Sequence, residues 1–159
     1  MKKYILELKL IGAEIARKIS ISDNMSFSEL HDIIQIIFGW GNSHLHHFRI
    51  GNLVIGDYDN ENEIPDNYIY EKEARLSTVL SDKPDVLYEY DFGDSWQISI
   101  NVLEAQELEK GSCLPEVIET YGTMLVDDCG GVEKLKSLSL ITPNIENLNF
   151  LLKQHYYTK

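Results

Sequence analysis

Hydrophobic and polar positions alternate at the start of the chain. Tyr4, Leu6, Leu8 and Leu10 share one face while Glu7 and Lys9 lie on the other, the pattern of a half-buried strand. Gly12-Ala13 can turn the chain, and Ile15, Arg17, Ile19 and Ile21 mark a second strand, so the pattern predicts a hairpin with a polar outer side. From Ser26 the period changes. Leu30, Ile33, Ile34 and Ile37 fall at i, i+3, i+4 and i+7, which predicts an amphipathic helix over Ser26–Phe38. Ser26 and Glu29 fit a capping box, and Gly39 is a natural stop. His31 borders the apolar stripe and reads as a packed boundary residue.

Alternation returns at His46, Phe48 and Ile50, with Gly51-Asn52 as a tight turn and Leu53-Val54-Ile55 as the return strand. The acidic segment from Asp57 to Glu73 reads as a long surface loop. Its acids Asp57, Asp59, Glu61 and Glu63 have the spacing of a calcium loop, but Asn62 stands where such a loop needs glycine and Tyr68 where it needs a closing Glu. Arg75–Leu80 is a short helical turn or strand. Val86–Asp91 and Trp96–Glu104 form a second hairpin around Phe92-Gly93-Asp94-Ser95. After an irregular stretch holding Pro115, a helical segment runs from Val132 to about Ser139. Thr142-Pro143 starts a last helix with Ile145, Leu148, Leu151 and Leu152 inward. The expectation is an α+β fold: an antiparallel sheet built from hairpins, one early amphipathic helix packed on it, and a helical C-terminus. No repeat interrupts it, and residues 1–159 read as a single domain.

Composition narrows the function classes. Apolar residues are 43% of the chain, enough for one sizeable core. Lys plus Arg number 14 against 26 Asp plus Glu, a net charge of −12, which disfavours direct binding to a phosphate backbone. The basic pairs Arg17-Lys18 and Lys134/Lys136 are thin. No apolar run approaches the length of about 18 residues that a membrane helix needs. A cytoplasmic location and no membrane partner are expected, with Cys113 and Cys129 as reduced thiols.

The candidate chemistry lies in three stretches where His or Asp stands beside Trp, Phe or paired Gly: Gly39–Phe48, Tyr88–Trp96 and Asp127–Gly131. If a strand starts at His44, His44 and His46 point to one face, and Asp91 and Asp94 on a glycine turn can reach them. Two imidazoles with two carboxylates suit zinc, manganese or iron, with Asp128 as a possible base. Trp40 and Trp96 would anchor the core or line the pocket mouth. Three readings stay open: a structural hydrogen-bond network, a metal site on His44, His46, Asp91 and Asp94, and metal-free acid–base or ligand binding. Cys129 as a thiol nucleophile is weaker than Cys129 as a small apolar residue. No HExxH, Walker or GxSxG signature is present.

Leu30-His31, Phe38-Gly39-Trp40, His44-Leu45-His46-x-Phe48, Tyr90-Asp91-Phe92-Gly93-Asp94-x-Trp96 and Asp128-Cys129-Gly130-Gly131 follow one another in that order. Over about residues 4–138 the chain resembles the plasmid pRiA4b ORF-3-like family, whose members occur on plasmids, transposon-type elements and chromosomes. The resemblance implies an α+β fold and little about activity. Some members carry a resolvase-like label, for which no recombinase serine or tyrosine arrangement is seen here. Ala16 replaces a usual Trp, Leu125-Val126-Asp127 replaces Pro-Pro-Glu, and Gln97-Ile98 follows Trp96 where a His is common. These departures bear on any ligand set that uses the lost His. The leading functional expectation is a cytoplasmic interaction or accessory module with a protein partner, linked to a mobile element. The alternative is a metal-assisted hydrolase.

Overall fold

A computed structural model describes residues 1–58, 64–137 and 141–157. Eight strands form one sheet: β1 (Lys2–Leu10), β2 (Ala16–Ser22), β3 (His46–Ile50), β4 (Leu53–Gly56), β5 (Tyr68–Tyr70), β6 (Val86–Tyr90), β7 (Trp96–Glu107) and β8 (Glu116–Tyr121). Their order is β5-β4-β3-β6-β7-β1-β2-β8. Three α-helices accompany them, α1 (Phe27–Phe38), α2 (Leu76–Val79) and α3 (Ile145–Tyr157), with a 3-10 turn at Val132–Ser137.

One face of the sheet carries the core. Leu6, Leu8, Ile19, Ile21, Phe48, Tyr88, Trp96 and Ile98 are buried there with Leu30, Ile33, Ile34 and Ile37 of α1. The other face is polar where it has been traced by ion pairs, Lys9 with Glu7 and Lys18 with Glu119. Helix α1 starts where the Ser26 hydroxyl accepts from Glu29 N (3.2 Å) and ends at Gly39 in the left-handed region (φ 94°).

Several expectations need correcting. The sheet is mostly but not purely antiparallel, because β4 and β5 run parallel. Parallel neighbours need a long connection, and eleven residues of sequence separate Gly56 from Tyr68. Tyr68, Ile69 and Tyr70 are therefore strand rather than loop. Glu71, placed on a solvated loop, is 2% exposed. Asp59, Glu61, Asn62 and Glu63 of the calcium-loop comparison lie outside the described residues, as do Leu138 and Ser139 at the end of the expected Val132–Ser139 helix. The stretch after Pro115 is strand β8, whose partner is β2. The last helix is capped by Asn144, whose side-chain oxygen accepts from Asn147 N (2.9 Å), and Pro143 precedes the cap. Of its expected inward residues, Leu148 and Leu152 are buried but Ile145 and Leu151 are exposed.

Arg17 is no surface cation. It shares the buried face of β2 and is 1% exposed. Its Nε donates to Ile37 O (2.9 Å), Nη1 to Ala16 O (2.8 Å) and Tyr121 O (3.1 Å), and Nη2 to Thr123 O (2.9 Å). The guanidinium also lies 4.8 Å from the Phe38 ring centre. Burial lowers its pKa to about 10, so it stays charged at neutral pH, held by carbonyl dipoles. It ties the C-terminal end of α1 to the segment after β8, and that segment leads into the Asp127-Asp128 loop.

Candidate metal centre

Three loops meet at one end of the sheet. The first, residues 39–45, leaves α1. Here the sequence argument for paired histidines fails, because β3 begins at His46 and the strand alternation does not extend back to His44. The second loop follows β6. Asp91 leaves the strand in the left-handed region (φ 59°), and its Oδ1 accepts from Gly93 N (3.2 Å) and Asp94 N (3.3 Å). That turn occupies one carboxylate oxygen and leaves the other toward His44. The third loop is residues 125–131. Leu125 N donates to Phe38 O (2.7 Å), and the Asp127 carboxylate accepts from Gly41 N (2.6 Å) and Tyr90 OH (2.8 Å). Asp94 Oδ2 accepts from Gly130 N (3.1 Å). Gly131 has φ 90°, and a Cβ there would stand 2.8 Å from the Asp94 carbonyl oxygen, so only glycine lets these loops approach.

The three loops bring His44, Asp91 and Asp128 together. One ligand atom from each lies within 4.8 Å of the others. His44 Nε2 is 2.7 Å from Asp128 Oδ1 and 3.5 Å from Asp91 Oδ2. Nε2 is buried and makes no well-aligned hydrogen bond to either carboxylate. Ligand atoms about 2.1 Å from a shared ion sit roughly 3–3.5 Å apart and meet side-on. The Asp91 distance falls in that range and the Asp128 distance is shorter, so the three groups form a tight cluster whose ligand atoms face one another. His47 Nε2 also lies near a carboxylate, Glu89 Oε1 at 3.2 Å, but only one carboxylate is close to it in the described contacts. The Tyr90 ring packs edge-on against His44. Burial, the larger cause, and the neighbouring Asp127 push the Tyr90 hydroxyl up to about 12, so it remains a donor. Asn42, Asp91, Ser95 and Asp128 all hold positive φ in these loops.

Among the sequence candidates, His46 and Asp94 have other partners. Asp94 holds the Asp128 loop. His46 faces α1: its Nε2 is 2.6 Å from Glu71 Oε1, and its ring stacks on His31 (3.4 Å between centres, 6° between planes). His31 Nδ1 is 2.8 Å from Tyr88 OH and its Nε2 2.7 Å from Asn42 Oδ1. Gln35 donates to the same Tyr88 hydroxyl (2.9 Å), which leaves Tyr88 to donate to Nδ1, so His31 is the neutral Nε2–H tautomer. Burial and then the His46 charge lower the His31 pKa to about 4. Burial alone would raise the Glu71 carboxyl, but its hydrogen bond and charge pairing with His46 hold it below its usual range. Trp40 and Trp96 are buried, 5.5 Å between ring centres, and neither indole N–H has a partner. Sequence reasoning missed Glu71, Asn42 and Tyr90. Tyr90 stands within a quoted motif, while nothing in the acidic run singles out Glu71. Cys129 is a partly buried thiol whose Sγ lies 3.7 Å from Gly131 O.

A cavity of about 230 Å³ opens between the two groups. His31, Asp32, His44, His46, Asp57 and Glu71 are among its lining residues. Among the described residues no helix is long and apolar enough to cross a membrane.

The chain is 31% identical over 119 residues to the uncharacterized protein y4hQ of Sinorhizobium fredii (strain NBRC 101917 / NGR234), covering 74% of this chain and 60% of that relative. It thus spans about three fifths of the length of the curated relative it matches. The crystal structure of a protein of unknown function, MM3350 from Methanosarcina mazei Go1, superposes with a TM-score of 0.74 at 31% identity, covering 86% of this chain and 78% of that one. The family model described as plasmid pRiA4b ORF-3-like protein matches residues 3–149, and on that match the chain belongs to the plasmid pRiA4b ORF-3-like family.

Proposed function

We propose that the protein binds a divalent metal ion at His44, Asp91 and Asp128 and uses it for hydrolytic chemistry. This favours the metal-assisted reading over the accessory-module one and revises its ligands: Asp128 becomes a ligand rather than a base, and His46 and Asp94 leave the set. The carrying observation is the buried His44 Nε2, flanked by two carboxylates and well aligned for a hydrogen bond with neither. One nitrogen and two oxygens suit Mn²⁺ or Zn²⁺ and leave coordination positions for water, whose proton a bound ion makes easier to lose. Asp91 is held by two backbone N–H groups and Asp128 by the staples at Asp127 and Asp94, so the ligands are positioned before an ion arrives.

The test is Mn²⁺ and Zn²⁺ titration of chelator-stripped, tag-free protein beside His44→Ala, Asp91→Asn and Asp128→Asn. Saturable one-to-one binding that each substitution weakens by at least about tenfold is expected, with a metal-dependent rise in melting temperature. No binding, or binding indifferent to all three changes, overturns the proposal.

The accessory-module reading has one observation of its own. Leu45, Phe92 and Val126 are 70%, 42% and 43% exposed, and they stand beside His44, Asp91 and the Asp127-Asp128 pair. An apolar rim of that kind suits a protein partner in the cytoplasm. The net charge of −12 supports the absence of direct duplex contact, and duplex retention at modest ionic strength would overturn that part.

A further inference from the structure

The cavity beside His44 is lined by three carboxylates and three imidazoles, and none of the described residues lining it is Lys or Arg. Its imidazoles are already committed. His31 is neutral and hydrogen-bonded on both nitrogens, His46 pairs with Glu71, and His44 Nε2 faces Asp91 and Asp128. What remains for a ligand is negative. Asp57 is exposed, and Asp32 has a loose contact with His155 (3.6 Å). A phosphate or carboxylate group entering here would face Asp32 and Asp57, with the His46 imidazole already taken by Glu71, whereas an ammonium or guanidinium would find two acceptors. At about 230 Å³ the space lies below the range of pockets that hold drug-sized molecules, so the ligand is small.

We infer that this cavity takes a small organic cation, an amine or guanidine, seated against Asp32 and Asp57 with its far end toward His44. The inference rests on the metal reading for the ion beside that far end, but not for the binding of the cation itself. Asp32 and Asp57 thereby set specificity, and the residues that hold the metal are separate from those that select the substrate.

Agmatine serves as the probe and phenyl phosphate as the anionic control, each titrated into chelator-stripped and Mn²⁺-loaded protein by calorimetry. Agmatine is expected to bind both forms. The double variant Asp32→Asn/Asp57→Asn should weaken it by at least about tenfold, as loss of a charge-assisted hydrogen bond would, while Mn²⁺ affinity stays within about twofold. In the loaded protein Mn²⁺ should speed proton relaxation of bound agmatine, which places the ligand beside the ion. Both substituted positions are partly exposed, and unchanged melting shows that the variant folds. Absence of agmatine binding to either form, equal binding of phenyl phosphate, or an unaffected double variant overturns the inference. Agmatine binding with no Mn²⁺ binding supports the cavity and removes the metal reading, so the two fail separately.

Discussion

His46 and His44 flank a single residue, Leu45, and they lead opposite lives. Around His46 the polar atoms are paired: Glu71 takes its Nε2, His31 stacks on its ring, and Tyr88, Gln35 and Asn42 satisfy His31 in turn. Around His44 two carboxylates converge on a buried nitrogen without a well-aligned hydrogen bond. Both clusters combine imidazole and carboxylate, so residue type does not separate them. Saturation does. A closed network is architecture whose loss is felt in stability, and an unsatisfied convergence is a place for something else to bind.

The largest expected effect lies in the closed cluster. Glu71→Ala removes the buried carboxylate that pairs with His46 Nε2 and should cost about 3–5 kcal/mol in chemical denaturation. Mn²⁺ affinity of the folded fraction should hardly change. If Glu71→Ala is as stable as the parent, the network is not load-carrying and the distinction drawn from saturation fails.

Next comes acid. His31 has a folded pKa of about 4 against 6.5 in the unfolded chain. Between those values the unfolded state binds the extra proton, so stability is complete above about pH 6.5 and declines as pH falls toward 4. At 1.36 kcal/mol per unit the loss approaches roughly 3 kcal/mol. Glu71, whose carboxyl is held low, adds its own loss further into acid. Urea denaturation from pH 7 to 4.5 should therefore show a slope that His31→Gln flattens. The same slope in that variant would assign the acid sensitivity to another group.

The two clusters also differed in how far the sequence exposed them. Helix α1 and the β1–β2 hairpin were legible because their apolar positions repeat at 3.6 and 2, and burial follows period. Strand β8 was hidden because only Val117 of its six residues is buried, which leaves no alternation to read. β5 was hidden by the acidic run around it and by a parallel pairing that no local turn announces. His44, Asp91 and Asp128 were visible as polar residues beside Trp and Gly, where tight loops form. Their grouping was not, since His46 had seemed the natural companion of His44. That pairing assumed an extended chain at His44, and the loop from α1 to β3 removes it. Glu71 acquires its meaning only when β5 docks on β4 and carries it under α1, a long-range event with no local trace.

The finest test concerns a residue outside both the proposed ligand set and the core. Asp94 holds Gly130 N through its carboxylate, and its backbone carbonyl packs against Gly131, so it steers the loop that presents Asp128. Asp128 itself is exposed and in the left-handed region, a conformation that a loosened loop would abandon. Asp94→Ala should therefore lower Mn²⁺ affinity by up to about tenfold, the size expected for an outer partner of a ligand, with a small change in melting temperature. Asp94→Asn keeps an oxygen that can accept from Gly130 N and should restore most of the affinity. A role confined to stability would shift melting in both variants and leave affinity alone. If Asp94→Ala binds Mn²⁺ as tightly as the parent, the loop is held well enough by Asp127 through Gly41 and Tyr90, and the open cluster owes its shape to that staple.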